Sequence, residues 1–353
     1  MSLISNFAKI TEESQTEYAS MKDAVLSRTD VLGDSCEGDN LLAFCDNASF
    51  MKYLRDTAGM RGKVKMIYID PPFFSKANYE ATLSVSDSAV GGGRKVRHLA
   101  YEDVWEKGME DYLKMIATRL LFIKDLLAED GTIWVHLDWH SVHYVKILLD
   151  EIFGDRNFIN EIIWQYKSGG SSKKHFARKH DNILVYGKSS KYYLKLPKEK
   201  SYNRGLKPYR FKGVEEFCDD IGWYTMVNMK DVWSIDMVGR TSGERTGYAT
   251  QKPEALLARI IEAASCEGDI VGDFFCGSGT LAAAASKLGR RWICCDSSPV
   301  ALASCIKRFL DNEMKFTFLI EDGHADEIEI REDADKNKQM TLFPDKKSYT
   351  INI

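Results

Sequence analysis

The chain has 353 residues, 44% of them hydrophobic and 28% charged, with a formal net charge of −4. This length and composition suit a folded protein of one large or two modest domains and exclude disordered and fibrous classes. No apolar run approaches the ~20 residues that span a bilayer and no signal-peptide stretch opens the sequence, so a cytoplasmic protein with no membrane partner is expected.

Residues 1–30 are polar and read as helical or loose. From Gly38, the positions of Leu41, Leu42, Phe44, Cys45, Met51 and Leu54 suggest an amphipathic helix. Val64 to Ile69 is a short run of β-formers that stops at Asp70-Pro71-Pro72, the pattern of a buried parallel strand carrying a loop at its C-terminal end. Helical spacing over 110–128 is followed by a strand at Thr132–Leu137, a helix over 141–153 and a strand at Phe158–Tyr166. Residues 188–247 are aromatic, mixed in charge and without a long periodic segment. Beyond them, helices at Pro253–Ala264, Thr280–Leu288 and Pro299–Leu310 alternate with strands at Ile270–Phe274 and Trp292–Cys295. Such alternation on both flanks predicts a doubly wound α/β sheet. The charged stretch 326–340 reads as disordered. The eight cysteines (Cys36, Cys45, Cys218, Cys266, Cys276, Cys294, Cys295 and Cys305) contain no C-x-x-C pair and read as reduced thiols serving as small core residues.

Two motifs carry chemistry. In Asp273-Phe274-Phe275-Cys276-Gly277-Ser278-Gly279-Thr280 a strand feeds a glycine turn that opens a helix, so backbone amides can approach a ligand closely. Asp296 ends the next strand, placed to accept from ribose hydroxyls. Gly277-x-Gly279-x-x-Ala282 also matches the dinucleotide fingerprint, so the glycines alone indicate only a nucleotide-like cofactor. Asp70-Pro71-Pro72-Phe73 is more decisive. An amine conjugated to an aromatic ring is a poor nucleophile because its lone pair is delocalised. A carboxylate and a backbone carbonyl accepting its two N–H bonds favour the pyramidal form, whose lone pair points outward. The prolines fix the backbone so that the Pro71 carbonyl faces the same amine, and Phe73 offers a flat face to a flipped base.

These motifs, with Thr250-Gln251-Lys252-Pro253-Glu254-Ala255 before the glycine turn, resemble the permuted β-group of DNA amino-methyltransferases. In that group the catalytic D-P-P-aromatic precedes the cofactor motif and a target-recognition region lies between them. Tyr68-Ile69-Asp70 and Asp273-Phe274-Phe275 particularly resemble the modification subunits of type III restriction systems, although the chain is short beside them and a solitary or type II-like enzyme fits equally. The likeness covers roughly residues 30–310. It implies that Asp70 and Pro71 hold the target amine, with Pro72 stiffening the loop and Phe73, where the family usually has Tyr, stacking on the base. S-adenosylmethionine is the implied cofactor, bound through Asp273, Phe275, Gly277, Gly279, Thr280 and Asp296. Gln251 and Lys252 are expected against its methionine end, and Asp39 near its adenine.

The implied fold is an α/β, doubly wound, mostly parallel seven-stranded methyltransferase sheet, Rossmann-like in its layering. Residues 1–187 and 248–325 form its two parts, 188–247 is an inserted target-recognition region and 326–353 a charged flexible tail. The implied reaction is direct in-line attack by the 6-amino group of a flipped adenine in double-stranded DNA. The same geometry serves the 4-amino group of cytosine, though those enzymes more often carry Ser before the two prolines. Carbon-5 methylation of cytosine needs a nucleophilic Cys, usually after Pro, and the sequence has no Pro-Cys pair. A nicotinamide oxidoreductase leaves Asp70 to Phe73 unexplained, and a non-catalytic DNA-binding subunit would be expected to have lost one motif.

With no global excess of positive charge, a DNA surface must come from local clusters. The segment Lys167–His180, with Lys173, Lys174, Arg178 and Lys179, reads as a phosphate-contacting loop, and Gly91–His98, with Arg94, Lys95 and Arg97, as a loop closing over the bound strand. His136, His140 and His143 straddle a strand end without an acidic or Cys partner at ligand spacing, and no metal is expected. Gln339-Met340-Thr341-Leu342-Phe343 resembles the short peptide by which bacterial proteins bind the replication sliding clamp, with Gln339, Leu342 and Phe343 as anchors; packing of the tail on its own domain is the alternative. A partner restriction subunit is a further expectation.

Overall fold

The computed structural model describes residues 3–22, 25–29, 40–75, 78–85, 94–103, 105, 108–168, 170, 172–248, 250–322, 328–332, 338–342 and 349–352. In chain order the first half contains α1 (Leu3–Ser20), β1 (Leu26–Thr29), β2 (Asn40–Phe44), α2 (Asn47–Asp56), β3 (Val64–Ile69), β4 (Asn78–Val85), β5 (Arg94–Glu102), α3 (Met109–Leu126), β6 (Leu127–Leu137), α4 (Val142–Phe153), β7 (Phe158–Gln165) and β8 (His180–Gly187). There follow β9 (Lys198–Tyr202), β10 (Phe217–Cys218), β11 (Trp223–Asn228), β12 (Val232–Ser234), α5 (Glu254–Ala264), β13 (Ile270–Asp273), α6 (Thr280–Lys287), β14 (Arg291–Asp296), α7 (Pro299–Asp311) and β15 (Phe316–Glu321). Last come β16 (Ile328–Glu332), β17 (Lys338–Leu342) and β18 (Tyr349–Asn352).

The main sheet has ten strands in the order β1-β15-β2-β14-β13-β3-β6-β8-β7-β12, three more than expected. Its centre, from β15 to β6, is parallel throughout. Those strands are apolar on both faces: Leu42, Phe44, Met66 and Tyr68 face the core that holds α5, α6 and α7, while Ala43, Cys45, Ile67 and Ile69 face the core that holds α2, α3 and α4. Burial on two faces makes the runs continuous rather than alternating. The helix after β13 therefore lies on one face and the helices after β3 on the other. Between them is a switch point, where an open α/β sheet leaves a crevice at its C-terminal edge.

Several expectations change. The apolar positions 41–54 do not form one helix: β2 pairs inside the sheet, and Asp46 then caps α2 by accepting from Ser49 N at 2.9 Å. Residues 94–98, expected as part of a closing loop, belong to strand β5, which pairs antiparallel with β4, so Arg94, Lys95 and Arg97 sit on a hairpin. In the insert, only β9, β10 and β11 form a separate sheet; β12 returns to the main sheet beside β7, so the inserted unit ends before residue 232. The tail is not uniformly disordered, since β16, β17 and β18 form an antiparallel sheet that includes Gln339 and Leu342; Phe343 lies outside the described residues. Five of the cysteines are buried as expected, but Cys218 and Cys266 are exposed, and Cys36 lies outside the described residues. Among the described residues no helix is long and apolar enough to cross a membrane.

Candidate active site

Three adjacent parallel strands, β3, β13 and β14, each end on or just before an aspartate: Asp70, Asp273 and Asp296. They line one cleft of about 510 Å³, together with Pro72, Phe73, Gln251, Lys252, Phe275, Gly277 and Thr280. The catalytic and cofactor motifs, some two hundred residues apart in the chain, are thereby brought to one crevice.

On the catalytic side, Lys252 Nζ donates to Asp70 Oδ2, and both side chains are largely enclosed. Asp70 Oδ1 is buried and accepts no hydrogen bond among the described residues, so one oxygen remains for a donor. The Lys252 ammonium also lies 5.4 Å from the centre of the Phe73 ring. Phe73 in turn stacks on His136, with ring centres 6.0 Å apart and planes 22° from parallel. His136 is fully buried, and its ring nitrogens are both engaged, Nδ1 with the Tyr68 hydroxyl at 2.8 Å and Nε2 with Asp181 Oδ2 at 3.2 Å. Burial raises the Tyr68 phenol well above its ordinary value, with the carboxylates of Asp70, Asp273 and Asp181 adding to it. Burial also acts to raise Asp181, but hydrogen bonds from His136 and Tyr166 and the charges of His136 and Lys252 together outweigh it and leave that carboxyl below its ordinary value.

The loop after the tetrapeptide has its own anchor. Asp103, fully buried, accepts from Phe74 N at 3.0 Å, Ser75 N at 2.5 Å, Ser75 Oγ at 2.8 Å and Trp105 Nε1 at 3.1 Å. These bonds hold Phe74 at φ +64°, in the left-handed region that costs a side chain about 1–2 kcal/mol.

On the cofactor side, Gly277 N donates to Asp296 Oδ2 at 2.9 Å and Ser298 N to Oδ1 at 2.8 Å. Each carboxylate oxygen keeps a lone pair for a vicinal diol. Burial pushes the Asp296 carboxyl up to about 7. Asp273 is buried and accepts from Phe275 N at 3.1 Å; burial above all raises it well above its ordinary value. Gly279 begins α6 at φ +70°, and a Cβ there would lie 2.7 Å from the Phe309 ring, so both conformation and space demand glycine. Buried Arg308 ties the turn down, donating to Ser278 O at 3.1 Å, to Thr280 Oγ1 at 3.0 Å and to Glu254 Oε1 at 2.6 Å. The diol acceptor, the glycine turn and the aromatic wall of Phe275 fit a nucleoside cofactor such as S-adenosylmethionine.

The DNA methylase family model, which covers N6- and N4-amino enzymes, matches residues 64–307. The chain belongs to that family. It is 30% identical over 307 residues to the Type II methyltransferase M.EcaI of Enterobacter cloacae, covering 70% of this chain and 65% of that one. It is 28% identical over 272 residues to the Type II methyltransferase M2.DpnII of Streptococcus pneumoniae, covering 76% of this chain and 88% of the relative. A solved structure of the PvuII DNA methyltransferase (cytosine-N4-specific) shares the fold with a TM-score of 0.52 at 13% identity, over 78% of this chain and 89% of that one. The methylase is accordingly a DNA amino-methyltransferase by family, with S-adenosylmethionine as its methyl donor.

Not every residue sits where the motifs suggested. Gln251 lines the cleft, but its amide is spent inside its own loop, accepting from Thr246 N at 2.8 Å and Thr246 Oγ1 at 3.0 Å and donating to Glu244 O at 2.6 Å. Lys252, expected against the cofactor, reaches across to Asp70. Pro71 is buried and, like Gly279, does not line the cleft; Asp39 lies outside the described residues. Asp103, Arg308 and His136 were not singled out for this site, because none lies in a recognisable motif. The basic segment joins β7 to β8 and leaves β7 at the same sheet edge as Asp70, β7 running the same way as β3 and β6. Lys173, Lys174 and Arg178 are exposed there, while Lys179 Nζ donates to Ser168 O at 2.9 Å. Among the described residues no group of three His, Cys, Asp or Glu is arranged to hold a metal, and His140 Nδ1 bonds Asp138 Oδ2 at 2.6 Å.

Proposed function

We propose that the methylase transfers a methyl group to the 6-amino group of an adenine flipped out of a specific site in double-stranded DNA. The observation that carries this reading is Asp70 Oδ1, which has no partner among the described residues and lies at the end of β3, beside Phe73 and in the same cleft as Asp296. S-adenosylmethionine, when bound, supplies an electrophilic methyl group. The protein's part is to place the nucleophile. Asp70 Oδ1 accepts an amine N–H, which draws the nitrogen lone pair out of conjugation with the ring. Phe73, backed by His136, stacks on the base. Asp296 and the glycine turn would hold the cofactor so that its methyl group would face the amine, and Asp70 would take up the proton that the amine sheds on methylation. Positioning and a preorganised carboxylate supply most of the rate enhancement.

Asp rather than Ser before the two prolines favours adenine over the 4-amino group of cytosine. Site choice is assigned to residues 198–228, whose β9–β11 sheet stands apart from the main one and exposes Tyr209 and Phe211 beside it. Phosphate contacts are assigned to the basic loop, in a cytoplasmic setting where DNA is accessible, and a restriction subunit is a candidate partner. A clamp peptide at Gln339–Phe343 has less in its favour, because β17 is the central strand of its sheet and its backbone is paired on both sides.

The deciding experiment methylates unmodified duplex DNA in vitro, digests it to nucleosides and separates them by mass spectrometry. 6-Methyladenine, absent with Asp70→Ala although cofactor still binds, is the expected result. 4-Methylcytosine would replace the adenine assignment, and no product from protein that binds both cofactor and DNA would leave a non-catalytic subunit.

A further inference from the structure

The segment between β7 and β8 presents a phenyl ring that none of the described residues covers: Phe176 is 98% exposed. A single exposed apolar side chain is ordinary, but three further observations set this one apart. It lies among cations, between Lys173 and Lys174 on one side and Arg178 on the other, all exposed. The segment leaves the sheet at the edge where Asp70 lies. It is also clasped to that edge, because the Arg178 guanidinium lies 3.7 Å from the centre of the Trp139 ring, two residues beyond the end of β6. Trp139 in turn has the His140 ring 3.6 Å away. A guanidinium packed on an indole at this distance is a cation–π contact, and it restrains the chain two residues beyond Phe176.

We infer that Phe176 is a wedge that enters the duplex where the target base has left, aimed by the Arg178–Trp139 clasp and carried onto the DNA by the lysines around it. This inference rests on the proposed extrusion of a base. The cations select a polyanion, and the ring selects one with stacked aromatic surfaces, which is the duplex interior rather than its phosphate rim. Filling the gap offsets the loss of stacking when a base is extruded, so the wedge lowers the cost of flipping rather than contacting the reacting atoms. Phe176 is in this sense a positioning residue.

The test uses the full chain and synthetic duplexes carrying a site first located by sequencing duplex DNA methylated by the wild type, with a normal pair, a mismatch or an abasic position opposite the target base. For Phe176→Ala, kcat/KM on the normal duplex should fall roughly 10- to 100-fold, the range of one lost base–ring stack. S-adenosylhomocysteine binding should be unchanged. On mismatched and abasic duplexes, where pairing no longer opposes flipping, the variant should approach the wild type. Trp139→Leu should show a smaller defect with the same rescue. Wild-type rates from Phe176→Ala, or an equal loss on all three duplexes, would overturn the inference. Failure of the wild type to methylate any of them would instead remove the underlying function.

Discussion

Replacing Asp103 by Ala removes the anchor of the loop that carries the catalytic tetrapeptide. The carboxylate is fully buried and accepts four hydrogen bonds, from Phe74 N, Ser75 N, Ser75 Oγ and Trp105 Nε1. A hydrogen bond to a charged group contributes about 1.5–3 kcal/mol, and four sharing one carboxylate are not additive, so a loss of about 3–5 kcal/mol is expected. Part of it need not appear in global stability. Phe74, held at φ +64°, gains about 1–2 kcal/mol by relaxing to an ordinary conformation, so the loop can rearrange while the sheet stays folded. Asp70 and Phe73 then lose register with the cofactor half, and a misplacement of about 1 Å costs on the order of 100-fold in rate. The assay is single-turnover methyl transfer with saturating DNA, beside calorimetric titration with S-adenosylhomocysteine and a thermal melt. Cofactor affinity should hold within about twofold while turnover falls about 100-fold, a drop of ~2.7 kcal/mol in transition-state stabilisation. Asp103→Asn, which keeps one acceptor oxygen, should fall between. Wild-type turnover in the Ala variant would refute the role given to this carboxylate.

Three other perturbations test the rest of the site. Burial lifts the Asp296 carboxyl from 3.8 to about 7, so the ligand-free protein should lose stability as pH rises from about 4 to about 7, because the folded state holds the proton that the unfolded state has released. Binding of S-adenosylhomocysteine, which needs the ionised acceptor, should strengthen over the upper part of that range; melts and titrations on wild type and Asp296→Asn check both, and the variant should flatten both profiles. Gly279→Ala sets a Cβ 2.7 Å from the Phe309 ring at φ +70°, so a loss of about 2 kcal/mol or more in stability is expected in a denaturant titration, with weakened cofactor binding. Lys252→Met strips Asp70 of its ion-pair partner in an enclosed site, which should cost ~3 kcal/mol, and the Asp70→Asn/Lys252→Met double variant should regain most of it in the same titration.

The sequence by itself determined the fold class, the order of the two chemical motifs and the strand ends on which they sit. Those features are local: a run of β-formers halted by Asp70-Pro71-Pro72, and a strand running into Gly277 and Gly279, need no distant contact to be recognised. Continuous burial, however, erases periodicity. Leu41 to Cys45 therefore looked like part of a helix, and only pairing with β14 and β15 makes residues 40–44 a strand. β8 is legible in Ile183-Leu184-Val185-Tyr186, a run of β-formers closed by Gly187, whereas the three residues of β12 carry no pattern and form a strand because β7 offers them an edge. Tertiary structure alone decided the partners inside the cleft. Lys252 lies 182 residues from Asp70 and meets it only because β3 and β13 are neighbours. Asp103 holds the catalytic loop through backbone amides, and any buried carboxylate within reach could do so, leaving no residue pattern to find. Chemistry that depends on residue type at fixed spacing is written along the chain, whereas support supplied through space becomes visible only when the sheet has closed.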